Sequence, residues 1–321
     1  MKKKIGLLFL FLALTGTCIG GYVLFKRPKI SVVMSTYNRA EFLPRAIDSI
    51  LAQTEKDFEF IIINDGSSDN TAEILDKYAK QDKRIRVITN NPNKGLIYSL
   101  NKGLKESKGK YIARMDDDDI ALPTRFEKQY AFMEKNNDIA VVGSWIGSPE
   151  NSSKWGFQDE TSTDKIKVLV YLNTVPIAHP AAMIRKSFLD KHNLRYSYKY
   201  QAAEDRKLWL DIIDAGGKIT NIPEILLLFR IHSSHSREYY SNQQKNIDKF
   251  FHREILPKFA DQKEFEGLDY CQRIKKMAHK NQSLNYLSQP VFNQIIKETC
   301  PPDTAEKVIH PRWTDVFVFE E

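Results

Sequence analysis

Cysteine is scarce in this chain. Its three residues, Cys18, Cys271 and Cys300, are too few and too far apart for a disulfide framework or a thiolate metal site, and they read as inert thiols. Acidic residues are missing from the first 29 positions, where Lys2, Lys3, Lys4, Lys26, Arg27 and Lys29 all fall. Those six bases account for most of the formal charge of +7, because the other 292 residues carry 42 bases and 41 acids. So even a balance excludes a polybasic nucleic-acid binder, and no nucleic acid is expected as a partner. No internal repeat is present, and 42% hydrophobic with 28% charged residues is neither a disordered nor a fibrous composition.

Charge is also absent from Ile5 to Phe25, a run of 21 residues bracketed by lysines. At 1.5 Å per residue a helix of that length just spans a hydrocarbon core of about 30 Å. A single-pass N-terminal membrane anchor over residues 1–28 is therefore expected. A cleavable signal peptide competes with it, but Tyr22 to Phe25 prolongs the apolar run past any cleavage site. A lipidated Cys18 fits less well, since Thr15 stands where an aliphatic residue is usual.

Past Pro28, short apolar runs alternate with segments of helical period, the pattern of a mainly parallel sheet covered by helices. Strands are expected at Ile30 to Met34, Phe58 to Ile63, Ile85 to Ile88 and Lys110 to Met115. Helices between them bury Ala46, Ile47 and Ile50, then Ile74, Leu75 and Tyr78, then Ile97, Leu100 and Leu104. Further on come a helix from Pro123 to Asn136, a strand at Ile139 to Trp145, a polar loop from Gly147 to Thr163, a helix from Glu204 to Ala215 and a strand from Glu224 to Ile231. Beyond residue 241, Phe250, Phe251, Ile255 and Phe259 recur at helical spacing. The organisation is thus an α/β domain at 29–240 and a helical C-terminal extension at 241–321.

The most informative element is Asp116-Asp117-Asp118-Asp119, delivered by a strand to the carboxyl edge of the sheet. Ligands bind at that edge in open α/β sheets. Like charges this close raise one another's pKa unless a cation neutralises them, which points to Mg²⁺ or Mn²⁺ completed by phosphate oxygens. Neighbouring loops carry groups suited to a nucleotide: Thr36, Tyr37 and Asn38 after the first strand, Asp65 after the second, and Lys94 before a helix start. A tyrosine stacks on a base, a carboxylate accepts from a base or ribose, and a helix N-terminus favours an anion.

Several motifs in order resemble those of the family 2 glycosyltransferases of GT-A fold. They are Ser31 to Asn38, Ile63 to Thr71, Arg114 to Asp119, Ala178-His179-Pro180 with Met183 to Arg185, Ala203-Glu204-Asp205 leading to Leu208 to Leu210, and Phe229 to His232, together covering residues 29–236. The resemblance implies inverting transfer of a sugar from a nucleotide-diphosphate donor, usually a UDP-sugar, to a hydroxyl of a glycan or glycolipid acceptor. It also implies roles. Thr36, Tyr37 and Asp65 hold base and ribose; Lys94, Arg114 and Arg230 lie near the donor; Asp116 contacts the nucleotide. Asp118 coordinates the metal, with Asp116 and His232 completing its shell, and His179 faces the donor sugar or the acceptor. Asp205 is the general base, with Glu204 second. A bacterial nucleotide sugar is cytoplasmic, which favours that side for an anchored domain, whereas a luminal domain would suit a eukaryotic secretory enzyme.

Two departures stand out. Asp117 replaces the family's usual alanine, and His235 stands where serine is usual after His232. A nucleotidyltransferase also sets paired aspartates beside a nucleotide, but Thr36 to Glu41 lacks the glycines of its phosphate loop. A non-catalytic, membrane-tethered glycan-binding protein is the remaining alternative.

Overall fold

In the computed structural model, the described residues are 27–149 and 160–230, with 16–19, 22–25, 156–157, 245–247, 249–259, 268, 270–284 and four isolated positions near 290–297. Gly16–Ile19 (β1) and Tyr22–Phe25 (β2) pair antiparallel as a two-stranded sheet of their own. The other described strands form one nine-stranded sheet.

The first half obeys the periodicity of the sequence. Ile30–Thr36 (β3), Phe58–Asn64 (β4), Ile85–Thr89 (β5) and Tyr111–Met115 (β6) are all parallel, in the order β5-β4-β3-β6. Leu43–Leu51 (α1), Thr71–Gln81 (α2) and Leu96–Glu106 (α3) connect them. Helix α1 starts with Pro44 in its first turn, where a missing N–H costs nothing, and buries Leu43, Ala46, Ile47 and Ile50. Alternate residues of each strand serve opposite faces. Tyr111, Ala113 and Met115 join the core under α1 and Arg125–Lys135 (α4), whereas Ile112 joins the core shared with α3.

The second half extends the sheet as β6-β10-β8-β11-β7. Its strands are Ile120–Ala121 (β7), Ile139–Gly147 (β8), Gly156–Phe157 (β9, paired to β8), Met183–Arg185 (β10) and Lys218–Leu228 (β11). Strand β10 is antiparallel to both its neighbours, whereas β11 runs parallel to β8. Thr163–Tyr171 (α5), Lys186–Lys191 (α6) and Glu204–Asp214 (α7) cover this half, and Phe250, Phe251, Ile255 and Phe259 pack into the same core as Trp209.

The structure corrects several expectations. Among the described residues no helix is long and apolar enough to cross a membrane, and the strands β1 and β2 lie within the C-terminal part of the stretch assigned to a single-pass anchor. The physical reason lies in Gly16, Gly20 and Gly21 among Thr17, Ile19 and Val23. Glycine costs about 1 kcal/mol in a helix, β-branched residues favour strands, and Gly-Gly is a hairpin sequence. The anchor therefore does not hold, nor does the membrane localisation drawn from it; Ile5 to Thr15 lies outside the described residues. Cys271 is disulfide-bonded, so the reading of all three thiols as inert fails there. Strand β11 begins at Lys218, six residues before the expected Glu224. Helix α5, capped by the Ser162 hydroxyl, starts at Thr163, the last residue of the expected polar loop. Strand β10 has no signature in the sequence, because three residues show no period.

Candidate active site

The carboxyl ends of β3, β4, β5 and β6 meet along one edge, and the loops there hold each other in place. Thr36 closes β3 and is 1% exposed. Asn38 adopts φ 54° and is tied to the neighbouring turn, accepting from Ser68 N at 2.8 Å while its own N–H donates to the Ser67 hydroxyl at 3.0 Å. Gly66 sits at φ 76°, and a Cβ there would lie 2.9 Å from Asn93 N, so only glycine fits.

Asp65 is the hub of this region. Its buried carboxylate accepts from Asn90 Nδ2 at 2.7 Å, Lys94 N at 2.9 Å and Gly95 N at 2.8 Å. It thereby ties β4 to the start of α3, whose first N–H groups need an acceptor. The Lys94 side chain is exposed.

At the end of β6, ligand oxygens of Asp116, Asp118 and Asp119 all lie within 4.8 Å of one another. Burial raises the carboxyls of Asp116 and Asp119, and the neighbouring aspartates add to it; the ion pair with Arg114 opposes the rise at Asp116. Asp117 is pushed up to about 7, chiefly by burial, with the Thr36 hydroxyl opposing. Asp119 accepts from Arg230 N at 2.9 Å through Oδ1, whereas its buried Oδ2 has no hydrogen-bond partner. Arg230 also donates through Nε to Asp118 O at 3.3 Å and lies over the Phe42 ring at 5.0 Å. An all-carboxylate donor set with an orphaned buried oxygen fits a hard divalent cation.

A second cluster lies across Arg114. His179, in the short 3₁₀ turn His179–Ala181, meets the Tyr196 hydroxyl at 2.7 Å and the edge of the Trp209 ring at 5.9 Å between centroids. Burial, then the Arg114 charge, holds its pKa well below the ordinary value, so the imidazole is neutral. Glu204 and Asp205 open α7, where acids suit the helix dipole. Glu204 is buried and pushed up to about 7, first by burial and then by Asp205. Asp205 is half-buried and accepts from Arg206 N at 2.7 Å. Arg114 links the two clusters, pairing with Asp116 while its charge also acts on Glu204 and Tyr196.

The exposed large apolar side chains among the described residues are Tyr37, Leu96, Tyr98 and Tyr198. Tyr37 directly succeeds β3, Leu96 and Tyr98 start α3, and Tyr198 lies in a loop pinned to α3 by Asn101, which exchanges two hydrogen bonds with the Tyr196 backbone. They therefore share the edge that carries the polar groups. His232 lies outside the described residues. Sequence reasoning missed Asn90 and Tyr196, which occupy polar segments without periodicity, and Arg125, which opens a helix the sequence does show but whose partner Arg114 is brought near only by folding; it also left Asp119 out of the metal set, although the aspartate run contains it.

A curled mixed sheet with an acid-bearing carboxyl edge is a GT-A-like α/β arrangement. Residues 31–192 match the model of the family described as "Glycosyl transferase family 2". An uncharacterized glycosyltransferase of Haemophilus influenzae is 35% identical over 240 residues, spanning 71% of this chain and 73% of its own length. The O-antigen biosynthesis glycosyltransferase WbnJ of Escherichia coli is 34% identical over 72% of this chain and 92% of its own. Among solved structures, S. aureus TarS 1–349 in complex with UDP superposes with a TM-score of 0.54 at 19% identity, covering 80% of this chain and 72% of that one. The mannosyltransferase PcManGT of Pyrobaculum calidifontis, in complex with GDP-Man and Mn²⁺, gives 0.55 at 14% identity over 85% and 80%. The chain belongs to glycosyl transferase family 2.

Proposed function

We propose that this chain catalyses metal-dependent, inverting transfer of a sugar from a nucleotide-diphosphate donor, UDP-linked, to a hydroxyl of a glycan or glycolipid in cell-surface polysaccharide assembly. The observation that carries it is the convergence of Asp116, Asp118 and Asp119 beside Thr36 and Asp65 at the sheet's ligand edge. The UDP and GDP-Man complexes of proteins with this fold support a nucleotide donor, and the O-antigen relative supports the biosynthetic role.

In this reading Asp118 and Asp116, with Asp119 beside them, would hold Mg²⁺ or Mn²⁺, which supplies Lewis-acid neutralisation of the departing diphosphate. Tyr37 stacks on the base, and Thr36, Asn38, Asp65 and Asp117 line the nucleoside side. Asp65 has one lone pair uncommitted on Oδ2, since its other contacts are the three N–H donors above. Lys94 and Arg230 contribute positive charge to the diphosphate side, and Arg114 orients Asp116. His179, neutral and bonded to Tyr196, shapes the donor-sugar side without carrying charge. His232 is assigned to the metal shell by its place in the family motif alone.

Asp205 takes the proton from the acceptor hydroxyl as it attacks the anomeric carbon. Attack comes from the face opposite the diphosphate, so the configuration inverts in one displacement and no covalent enzyme intermediate forms. Glu204 is buried where Asp205 is half-buried, so it is the less accessible of the two to an acceptor hydroxyl.

Turnover of UDP-, GDP- and dTDP-sugars with Mn²⁺ tests the proposal through nucleoside diphosphate release. Product anomers read by NMR test inversion. Release of pyrophosphate from nucleoside triphosphate and sugar phosphate would indicate a nucleotidyltransferase instead, and no turnover of any donor would remove the enzymatic reading.

A further inference from the structure

We propose that Arg125 and Gln129 form a buried positioning pair that fixes the aspartate loop against the His179 turn and thereby sets the affinity of the site for a cation-bound nucleoside diphosphate. The inference rests on the donor-site reading above. Both side chains are 0% exposed. They lie one turn apart on α4, so they share a face of that helix.

Arg125 donates through Nη2 to Arg114 O at 2.8 Å, through Nε to Gln129 Oε1 at 3.1 Å, and through Nη1 towards Met115 Sδ at 3.5 Å. Gln129 in turn donates through Nε2 to Ala181 O at 2.7 Å and to Val142 O at 3.3 Å. Arg114 and Met115 are the last two residues before Asp116, and Ala181 belongs to the turn that begins with His179. One chain of hydrogen bonds therefore runs from the strand that delivers the aspartates to the turn that carries the imidazole. The acceptors of Arg125 are uncharged oxygens and a thioether; the charge that acts on it favourably is that of Asp119. Burial pulls its guanidinium down to about 9, the mark of an expensive cation. An apolar side chain fills such a space at lower cost, because taking an ion out of water is expensive. The planar fork gives what an apolar residue cannot, several fixed directions at once. Ligand-orienting partners of this kind typically change metal affinity by 10- to 100-fold.

The test compares wild type with Arg125→Lys, Arg125→Met and Gln129→Leu. UDP and GDP binding in Mn²⁺ is measured by isothermal titration, and Mn²⁺ binding by electron paramagnetic resonance, at a temperature where circular dichroism shows each variant folded. The expected result is a loss of about 10- to 100-fold in Mn²⁺ and nucleotide affinity in all folded variants. Arg125→Lys keeps the charge and loses the fork, so it should fail too. The double variant Arg125→Lys/Gln129→Leu should fall no further than the worse single, as expected for groups acting through one network. If Arg125→Met does not fold, Arg125→Lys and Gln129→Leu decide. Folded variants that melt lower yet bind within twofold of wild type would overturn the positioning role and leave an ordinary structural brace. Failure of wild type to bind either nucleotide would instead remove the donor-site reading and this inference with it.

Discussion

In the proposed mechanism Asp118 serves the cation and Asp205 the acceptor, so their variants should fail differently. Asp118→Ala is expected to abolish the metal dependence of donor binding and to lower turnover by at least about 10²-fold, measured as UDP release, because ground-state binding and leaving-group stabilisation are lost together. Asp205→Asn should leave donor affinity within about twofold while lowering kcat by about 10²- to 10⁴-fold, the usual contribution of a general base. Glu204 offers a prediction in pH. Its carboxyl is raised from 4.5 to about 7 in the folded protein, so it holds a proton there at pH values where the unfolded chain has lost it. Stability from this group is complete below pH 4.5 and is lost as pH rises through about 7. Glu204→Gln should therefore raise the melting temperature at pH 8, by about 1–3 kcal/mol of stability, and change it little at pH 4.5. At this scale the sequence exposed residues whose neighbours are close along the chain, such as Asp116 to Asp119 and Glu204-Asp205. It hid Tyr196 and Arg125, whose partners His179 and Arg114 are brought near only by folding.

Helices and strands of the first half were legible because each buries a periodic apolar face that local sequence specifies. The second half was less so. A three-residue strand such as β10 is fixed by pairing to β6 and β8 on both sides, not by its own pattern. Two elements carry predictions. The start of α3 depends on Asp65, so Asp65→Ala would leave Lys94 N without its acceptor, Asn90 Nδ2 with Ser99 Oγ alone and Gly95 N with Asn93 Oδ1 alone. Hydrogen bonds to a charged group contribute about 1.5–3 kcal/mol each, not additively, so a loss of roughly 3 kcal/mol is expected by urea denaturation, together with weaker nucleotide binding. The C-terminal segment enters the core through Phe250, fully buried with its ring edge-on to Tyr200 at 5.3 Å between centroids. Phe250→Ala should cost about 3–5 kcal/mol in the same experiment, the usual penalty for emptying an aromatic site.

Taken as a whole, the molecule separates its charge in a way the net value conceals. The +7 belongs mainly to the first 29 residues, and the body is almost neutral yet concentrates four carboxylates where one sheet ends. Burial raises the carboxyls of Asp116, Asp117 and Asp119, and the neighbouring charges add to it, a cost that a bound cation would relieve in the proposed function. Composition showed that the body was globular, and the aspartate run with its strand showed where the ligand edge lay. The fate of the apolar N-terminal run was not legible from hydropathy alone, because glycines and β-branched residues redirected part of it into a two-stranded sheet. The central claim, a cation-dependent nucleotide site at the carboxyl edge, is tested most directly by titrating UDP into wild type and Asp118→Ala with and without Mn²⁺. The account predicts saturable binding by wild type that weakens by at least about tenfold when Mn²⁺ is removed and is insensitive to Mn²⁺ in Asp118→Ala. Equal UDP affinity in all four titrations would contradict it.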